Sequence, residues 1–284
     1  MFAAKQGFAG RPTGVVFGIT PNPEIGLPHF FYSVKTSLVQ RPSVESRLYP
    51  ETAAGGFCRD DHRMAFLIRL RAVLKPTMRI LDLGAGRGKW RDDPAPFRAS
   101  LGDLRGRCAR IVGADVDPAI LENESVDERV HLDNSGLLPF ADGQFELISA
   151  FSVLEHIEDP SRTAAEIRRV LQPGGWLIGW TPNRYGYVGI GARIIPAPLT
   201  RKALRLLEPR REEHDSFTPF YKLNSRAAFR KYFPPAYWED LSYTYNGMPF
   251  YHGEKIVLAR VWQALFAVLP PVSRGYWMVI LRRR

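Results

Sequence analysis

The sequence predicts an α/β fold, a doubly wound and mostly parallel sheet with helices on both faces. Three observations predict it. Short apolar strands alternate with helical spacing from Arg79 to Trp180. The strand Ile80-Leu81-Asp82-Leu83 runs straight into Gly84-Ala85-Gly86-Arg87-Gly88, a glycine turn at the carboxyl end of a strand, where open α/β sheets bind ligands. Two later strands each end on an acid, at Asp115 and Asp133.

Taken in order, residues 1–45 are rich in Gly, Pro and aromatics. Pro12, Pro21, Pro23, Pro28 and Pro42 prevent a long helix, so the segment reads as an irregular arm, packed through Phe30, Phe31 and Tyr32 where ordered. From Asp60, helical spacing at Met64, Leu67, Ile68, Arg71, Val73 and Leu74 ends before Pro76 and leads into the strand Arg79–Leu83. The proline-bearing stretch Lys89–Arg107 reads as a loop or insertion, with a helix around Phe97–Leu104. Strands follow at Ala109–Asp115, Val130–Asp133 and Phe145–Phe151. Ser161–Leu171 is an amphipathic helix stopped by Pro173-Gly174-Gly175, and Trp176–Trp180 is a fifth strand. Residues 182–235 change character, with a helix-like piece at Leu199–Leu207 and dense charges and aromatics, and read as an insertion over the carboxyl edge of the sheet. Two further strands, Tyr237–Tyr245 and Tyr276–Leu281, flank a helix from Lys255 to Leu269 that reads as buried against the sheet. Arg282-Arg283-Arg284 reads as a solvated tail. The domain plan is therefore an arm (1–45), a core (46–181), an insertion (182–235) and completing strands (236–284).

Composition bounds the function. The chain has 284 residues, 45% apolar and 24% charged, a globular profile. It has no apolar run long enough to span a bilayer and no secretory signal, so the expected compartment is the cytoplasm. Cys58 and Cys108 lack the spacing of a disulfide framework or a metal site, and no metal is expected. The net charge of +10 is unevenly placed: residues 1–183 carry 22 basic and 22 acidic residues, whereas 184–284 carry 17 and 7. Such asymmetry suits either an anionic partner (nucleic acid, an acidic lipid surface, an anionic substrate) or a solvated basic surface.

Asp115, at the end of the second sheet strand, is placed to accept hydrogen bonds from ribose hydroxyls, and Asp133 can accept one from an exocyclic amine. Two such acids suit an adenosine without a pyrophosphate. A dinucleotide site prefers Gly-x-Gly-x-x-Gly opening a helix. Here the last glycine comes one residue early and Lys89 stands in its place, which counts against a nicotinamide or flavin enzyme.

Several segments in order resemble those of class I S-adenosylmethionine-dependent methyltransferases, of the methyltransferase type 11-like kind. They are Ile80–Gly88, Val112-Gly113-Ala114-Asp115, Leu138-Pro139-Phe140-Ala141-Asp142-Gly143-Gln144-Phe145-Glu146, Leu154-Glu155-His156-Ile157-Glu158-Asp159-Pro160 and Arg169-Val170-Leu171-Gln172-Pro173-Gly174-Gly175. Glu146 and Gln172 depart from the family's usual Asp and Lys. The resemblance implies a Rossmann-like sheet with an antiparallel last strand. It implies S-adenosylmethionine as cofactor, held by Asp82, Gly84, Ala85, Gly86, Gly88, Asp115, Val116, Asp133, Asn134 and Phe151. The implied activity is methyl transfer to an O, N or C atom of a small or lipid-linked molecule. The alternatives are an RNA methyltransferase using the basic C-terminal half and a non-catalytic cofactor-binding regulator. No Asp/Asn-Pro-Pro-Tyr/Phe stretch of the kind used on bases is present, so nucleic acid ranks second as a partner. Peripheral membrane contact through the apolar helix after Lys255 is a further option. His156 and His214 are weak candidates for a base, each equally readable as locally satisfied or solvated. Arg59 and Arg87 are candidates to pair with the cofactor carboxylate, and Trp90 is a candidate to pack over the glycine loop. Tyr185, Tyr187, Phe217, Phe220 and Tyr221 could wall an acceptor pocket or line the underside of a lid.

Overall fold

The computed structural model describes residues 43–133, 135–195, Leu207 and 219–284, and the backbone of residues 19–21 and 28–30. Contacts divide the chain into Met1–Pro42 and Ser43–Arg284. In the first unit, β1 (Ile19–Pro21) pairs antiparallel with β2 (Pro28–Phe30), so the arm is not wholly irregular. Phe31 and Tyr32 lie outside the described residues.

The second unit is an α/β sheet with five parallel strands. These are β3 (Arg79–Leu83), β4 (Arg110–Asp115), β5 (Glu128–His131), β6 (Phe145–Phe151) and β7 (Leu171–Pro182). The remaining strands are β8 (Trp238–Asp240), β9 (Tyr243–Tyr245) and β10 (Tyr276–Arg283). The order is β5-β4-β3-β6-β7-β10-β8, and β9 also pairs with β10. β10 is antiparallel to β7, β8 and β9. The chain moves outward from β3 through β4 to β5, then crosses back to β6 on the other side. That reversal makes a crevice at the carboxyl ends of β3 and β6, where ligands bind in this class of sheet. The motif glycines stand there.

The helices are α1 (Val44–Leu48), α2 (His62–Val73), α3 (Pro96–Gly102), α4 (Pro160–Val170), α5 (Tyr187–Ile194), α6 (Arg226–Tyr232) and α7 (Ile256–Val268). Capping places the starts of α2 and α4: Asp61 accepts from the N–H groups of Arg63 and Met64, and Asp159 from those of Ser161 and Arg162. Two apolar layers cover the sheet. Phe66, Leu67 and Leu70 of α2 pack with Ile80, Ile111, Leu147 and Ile178 on one face. Ala164, Ile167 and Val170 of α4 pack with Leu81, Val112, Ile148 and Leu177 on the other. Alternate residues of each strand thus serve opposite cores, which is why these strands read as continuous apolar runs.

Four expectations change. Pro173-Gly174-Gly175 lies within β7 as a bulge, where the register with β6 jumps between Phe145↔Leu171 and Leu147↔Trp176; Gly174 takes φ +78. The segment Tyr237–Tyr245 is two strands, because the Asp240 carboxylate accepts the Ser242 N–H and turns the chain between them. Arg282 and Arg283 are not a solvated tail: they extend β10, with Arg282 opposite Trp176 and Glu239, and the Arg283 guanidinium on the Leu171 carbonyl. Most consequentially, the helix after Lys255 is not buried. Of α7 only Ala259 is buried, while Val257, Val261, Leu265 and Val268 are exposed. Apart from Arg260 and Gln263 its residues are apolar, so periodicity could not say which apolar face lacks a partner. Leu207 is helical, and the rest of the Leu199–Leu207 piece lies outside the described residues.

Candidate active site

The glycine turn is fixed from below and behind. Gly84 donates to the Ala114 carbonyl at the end of β4 (2.8 Å). The side-chain amide of Asn123, wholly buried, donates to the carbonyls of Ala85 (3.2 Å) and Gly86 (2.9 Å). Gly84, Gly86 and Gly88 all take positive φ (+73, +48 and +92). At Gly84 a Cβ would stand 2.3 Å from Val153 Cγ2, and at Gly88 2.6 Å from Asn123 Oδ1. The two outer glycines are therefore demanded by close packing as well as by conformation. No helix starts on the turn, and α3 begins only at Pro96, so the dipole that favours a pyrophosphate is absent from this loop.

Asp115 closes the loop from the neighbouring strand. Its Oδ2 accepts from Gly86 N (2.8 Å) and its Oδ1 from Asp117 N (2.9 Å). The carboxylate is part-buried, and each oxygen keeps a second lone pair, as a ribose diol would require. Val116 beside it is exposed, so an apolar surface borders the acid. Asp133 is exposed, and its Oδ1 accepts from Ser135 Oγ and N (2.5 and 3.0 Å). The hydrogen bonds from the Ser135 side chain and then its backbone hold the Asp133 carboxyl below its usual range. Asn134 lies outside the described residues. Asp82, under the loop, accepts from Ser149 Oγ (2.8 Å); burial pushes its carboxyl up to about 6, against that hydrogen bond.

Phe151, at the carboxyl end of β6, stands at the centre of an aromatic cluster. Its ring stacks on Trp180 at 4.9 Å and lies 5.0 Å from both Phe66 and Trp90. His62, at the first position of α2, lies 4.6 Å from Trp180, 5.3 Å from Phe250 and 5.8 Å from Tyr276. Phe151 and Trp180 are register partners on adjacent strands, so the sheet itself forms the floor. Burial, then the charges of Arg63, Arg98 and Lys89, push His62 down to about 3, so its imidazole is neutral. His62 Nδ1 is buried without a hydrogen-bond partner among the described residues, whereas Trp180 Nε1 faces Tyr245 Oη. Native interiors leave few polar atoms in the state of His62 Nδ1, and one held between aromatic faces marks a place for a ligand's polar atom.

The other candidates fall in several places. Trp90 packs into this cluster, on Phe66, rather than standing alone over the loop. Tyr187 joins it through Tyr276 Oη (3.0 Å), whereas Tyr185 is exposed. Phe220 and Tyr221 donate their backbone N–H groups to the Glu155 carbonyl, and Phe217 and His214 lie outside the described residues. Arg59 is engaged with Glu51 (3.1 Å) over the Tyr49 ring, on the surface. Arg87 is exposed on the glycine turn. His156 ends a single 3-10 turn after β6 (Leu154–His156), half-buried. Cys58 and Cys108 are unpaired; burial pushes their thiols up to about 12 and about 11, which disfavours the thiolate.

The structure adds residues that sequence reasoning missed. His62 carried no signal beyond its place at the start of a helix whose amino end faces the carboxyl edge of the sheet. Asn123 was invisible because its role is set by a fold-back across the loop. Glu155 is 5% exposed and accepts from Thr181 Oγ1 (2.8 Å), which in turn accepts from the Asn224 amide. Burial pushes the Glu155 carboxyl up to about 7. Its folded pKa exceeds that of the unfolded chain, so its contribution to stability is fully present below the ordinary glutamate range and is lost as pH rises to 7. Glu155→Gln keeps the shape and cannot ionise. Between about pH 4.5 and 7, wild type should lose about 3 kcal/mol relative to this variant, the linkage value for such a shift. Denaturant titrations of both proteins at matched pH isolate this effect from His62 and Asp82, which are common to both. A gap that does not change with pH would show Glu155 to be charged throughout.

With this geometry in place, comparison with known proteins is decisive. A family model described as "Methyltransferase domain" matches residues 58–246. The chain belongs to that methyltransferase family. The match spans the glycine turn, both acids and His62, Phe66, Trp90, Phe151 and Trp180 of the cluster, and with the sheet order it makes the chain a class I S-adenosylmethionine-dependent methyltransferase by family. Its cofactor is accordingly S-adenosylmethionine, and the cradle described above, with two acids and no helix dipole, fits that molecule. The chain is similar to a protein of Mycolicibacterium smegmatis named a probable S-adenosylmethionine-dependent methyltransferase, at 31% identity over 37% of this chain and 38% of that one. It is similar to the ubiquinone/menaquinone biosynthesis C-methyltransferase UbiE of Shewanella frigidimarina, at 31% identity over 38% of this chain and 43% of that one. The chain thus spans less than half the length of these curated relatives. Among solved structures, a geranyl diphosphate C-methyltransferase from Streptomyces coelicolor A3(2) is similar with a TM-score of 0.47, 14% identity, and coverage of 78% and 76%. Among the described residues no helix is long and apolar enough to cross a membrane.

Proposed function

We propose that this methyltransferase transfers a methyl group from S-adenosylmethionine to an O, N or C atom of a small or lipid-linked aromatic acceptor. The observation that carries the reading is the aromatic cluster around Phe151, with the buried and unpartnered Nδ1 of His62. The names of the relatives, which include a ubiquinone biosynthesis O-methyltransferase of Thiobacillus denitrificans as well as UbiE, point the same way, towards a quinone-like ring.

Each part of the site has a task in this reading. Bound cofactor supplies an electrophilic methyl group, which is the hard part of the chemistry. Gly84, Ala85, Gly86 and Gly88 seat its methionine end, with Asp82 beneath. Asp115 and Val116 take the ribose, and Asp133 with Asn134 the adenine. Phe151 stands where the cradle meets the cluster, and Phe151, Trp180 and Trp90 exclude water from the reacting atoms. His62 offers a hydrogen-bonding atom to a phenol or carbonyl of the acceptor and so orients its nucleophile toward the methyl, at roughly 3 Å in a reactive pose. A His62 this far below its ordinary pKa is a poor base, so its role is positioning.

Isothermal titration with S-adenosylmethionine tests the cofactor half, and transfer of a labelled methyl group to a panel of catechols, quinols and aliphatic amines tests the acceptor half. Saturable binding with label on the ring compounds is expected. Label on the amines alone would overturn the aromatic acceptor, and no heat of binding at millimolar cofactor would overturn the whole reading.

A further inference from the structure

α7 presents an apolar face that no described residue covers. Val257, Val261, Leu265 and Val268 lie at helical spacing on one side and are 72%, 48%, 43% and 76% exposed. Ala264, on the same side, is exposed as well. The opposite side does the packing, through Ala259, Trp262 and Phe266, with the latter two rings 5.0 and 5.1 Å from Tyr187 of α5. α5 itself exposes Ile190 and Ile194, and the turn after α7 exposes Val272. A surface helix of a globular protein normally turns polar residues outward, and a contiguous apolar area of this kind marks an interaction site.

Charge identifies the occupant. At this face the structure places three exposed cations and one exposed acid, Glu254. Lys255 and Arg260 on α7, and Arg193 on α5, are exposed beside the apolar residues. A second copy of the same surface would meet it with like charge. An acidic protein or a nucleic acid would satisfy the cations and leave the valines and leucine in water. An anionic bilayer satisfies both at once: the headgroups take the cations and the acyl boundary takes the apolar side chains.

We infer that α7, with α5 beside it, docks the protein on the surface of an anionic membrane. Tyr187 ties the two helices to the aromatic cluster, through Trp262 and Phe266 on one side and Tyr276 Oη on the other. The docking face thus adjoins the aromatic cluster against which a lipid-linked acceptor would be placed in the proposed function. Docking itself does not depend on the acceptor's identity.

Flotation of the full-length protein with phosphatidylglycerol–phosphatidylcholine vesicles, against phosphatidylcholine alone, tests it. Val261→Glu with Leu265→Glu is the matched variant. Both side chains are solvent-facing, so its melting temperature and cofactor affinity, measured in parallel, should equal those of wild type. Wild type should float with the anionic vesicles at low salt and be released as salt rises. The variant's partition should fall at least about tenfold. Three results would overturn the inference. One is wild type left behind at low salt. Another is a variant that floats as well as wild type. The third is sedimentation showing a dimer that the variant dissolves, which would assign the face to a second copy. None of these would touch the methyl-transfer reading, because cofactor affinity is measured separately.

Discussion

Replacing Arg98 by Ala should lower the melting temperature by about 6–20 °C, the largest effect expected of any single substitution here. Arg98 is 6% exposed and sits between two carboxylates. Its Nη1 bonds Asp61, and its Nε and Nη2 reach Asp93 at 2.7 Å each. Burial alone would raise the Asp93 carboxyl, yet the hydrogen bonds from Arg98 hold it below its usual range. Removing the cation leaves Asp61 without a cation and Asp93 with only the Arg63 guanidinium at 3.6 Å, a loss of about 3–5 kcal/mol. At roughly 2–4 °C per kcal/mol for a protein of this size, that gives the stated range. The effect should reach the site as well. Asp61 is the cap that starts α2, and His62 is the next residue, so a loosened cap releases His62 from its place against Trp180. Circular dichroism melts of wild type, Arg98→Ala and Arg98→Lys would check this, with lysine intermediate because it keeps the charge and loses the fork. A shift under about 3 °C for alanine would mean that the two carboxylates find other partners.

Asp115→Ala should weaken S-adenosylmethionine binding by roughly 10- to 150-fold, the equivalent of the 1.5–3 kcal/mol that hydrogen bonds to a charged group contribute. Two losses combine. The ribose loses its acceptor, and the glycine turn loses the carboxylate that accepts from Gly86 N. Asp115→Asn keeps one acceptor oxygen and should fall between wild type and alanine. Calorimetry at constant pH and salt reads the difference. Equal affinity for wild type and alanine would place the ribose elsewhere and undo the assignment of this carboxylate.

Much of this was legible in the sequence because it is local. The glycine turn and Asp115 at the end of β4 are read from their own residues, and Ile80–Leu83, Arg110–Asp115 and Phe145–Phe151 fall where their apolar runs place them, whereas β5 ends at His131, two residues before Asp133. What was not legible depends on contacts between distant segments. The aromatic cluster joins His62, Phe66, Trp90, Phe151, Trp180, Phe250 and Tyr276, which no spacing rule connects. Of the aromatics expected to wall the pocket, Tyr187 joins the cluster and Tyr185 is exposed, while Phe217 lies outside the described residues. The exposure of α7 was missed for a related reason. A helix whose apolar surface is broken only by Arg260 and Gln263 looks the same in sequence whether one apolar side is covered or most of them are.

The two parts of the aromatic cluster, the strand rings and those packed over them, have different origins. Phe151 and Trp180 are paired strand residues, fixed by the same ladder that holds the sheet together. His62, Phe250 and Tyr187 come from a helix start, a loop and the segment after β7. Selection can therefore redraw the overlying rings by altering loops and insertions without disturbing the ladder or the cofactor cradle. A scaffold divided in this way can change its acceptor while inheriting its donor intact, and the same division offers a protein engineer a set of exchangeable parts.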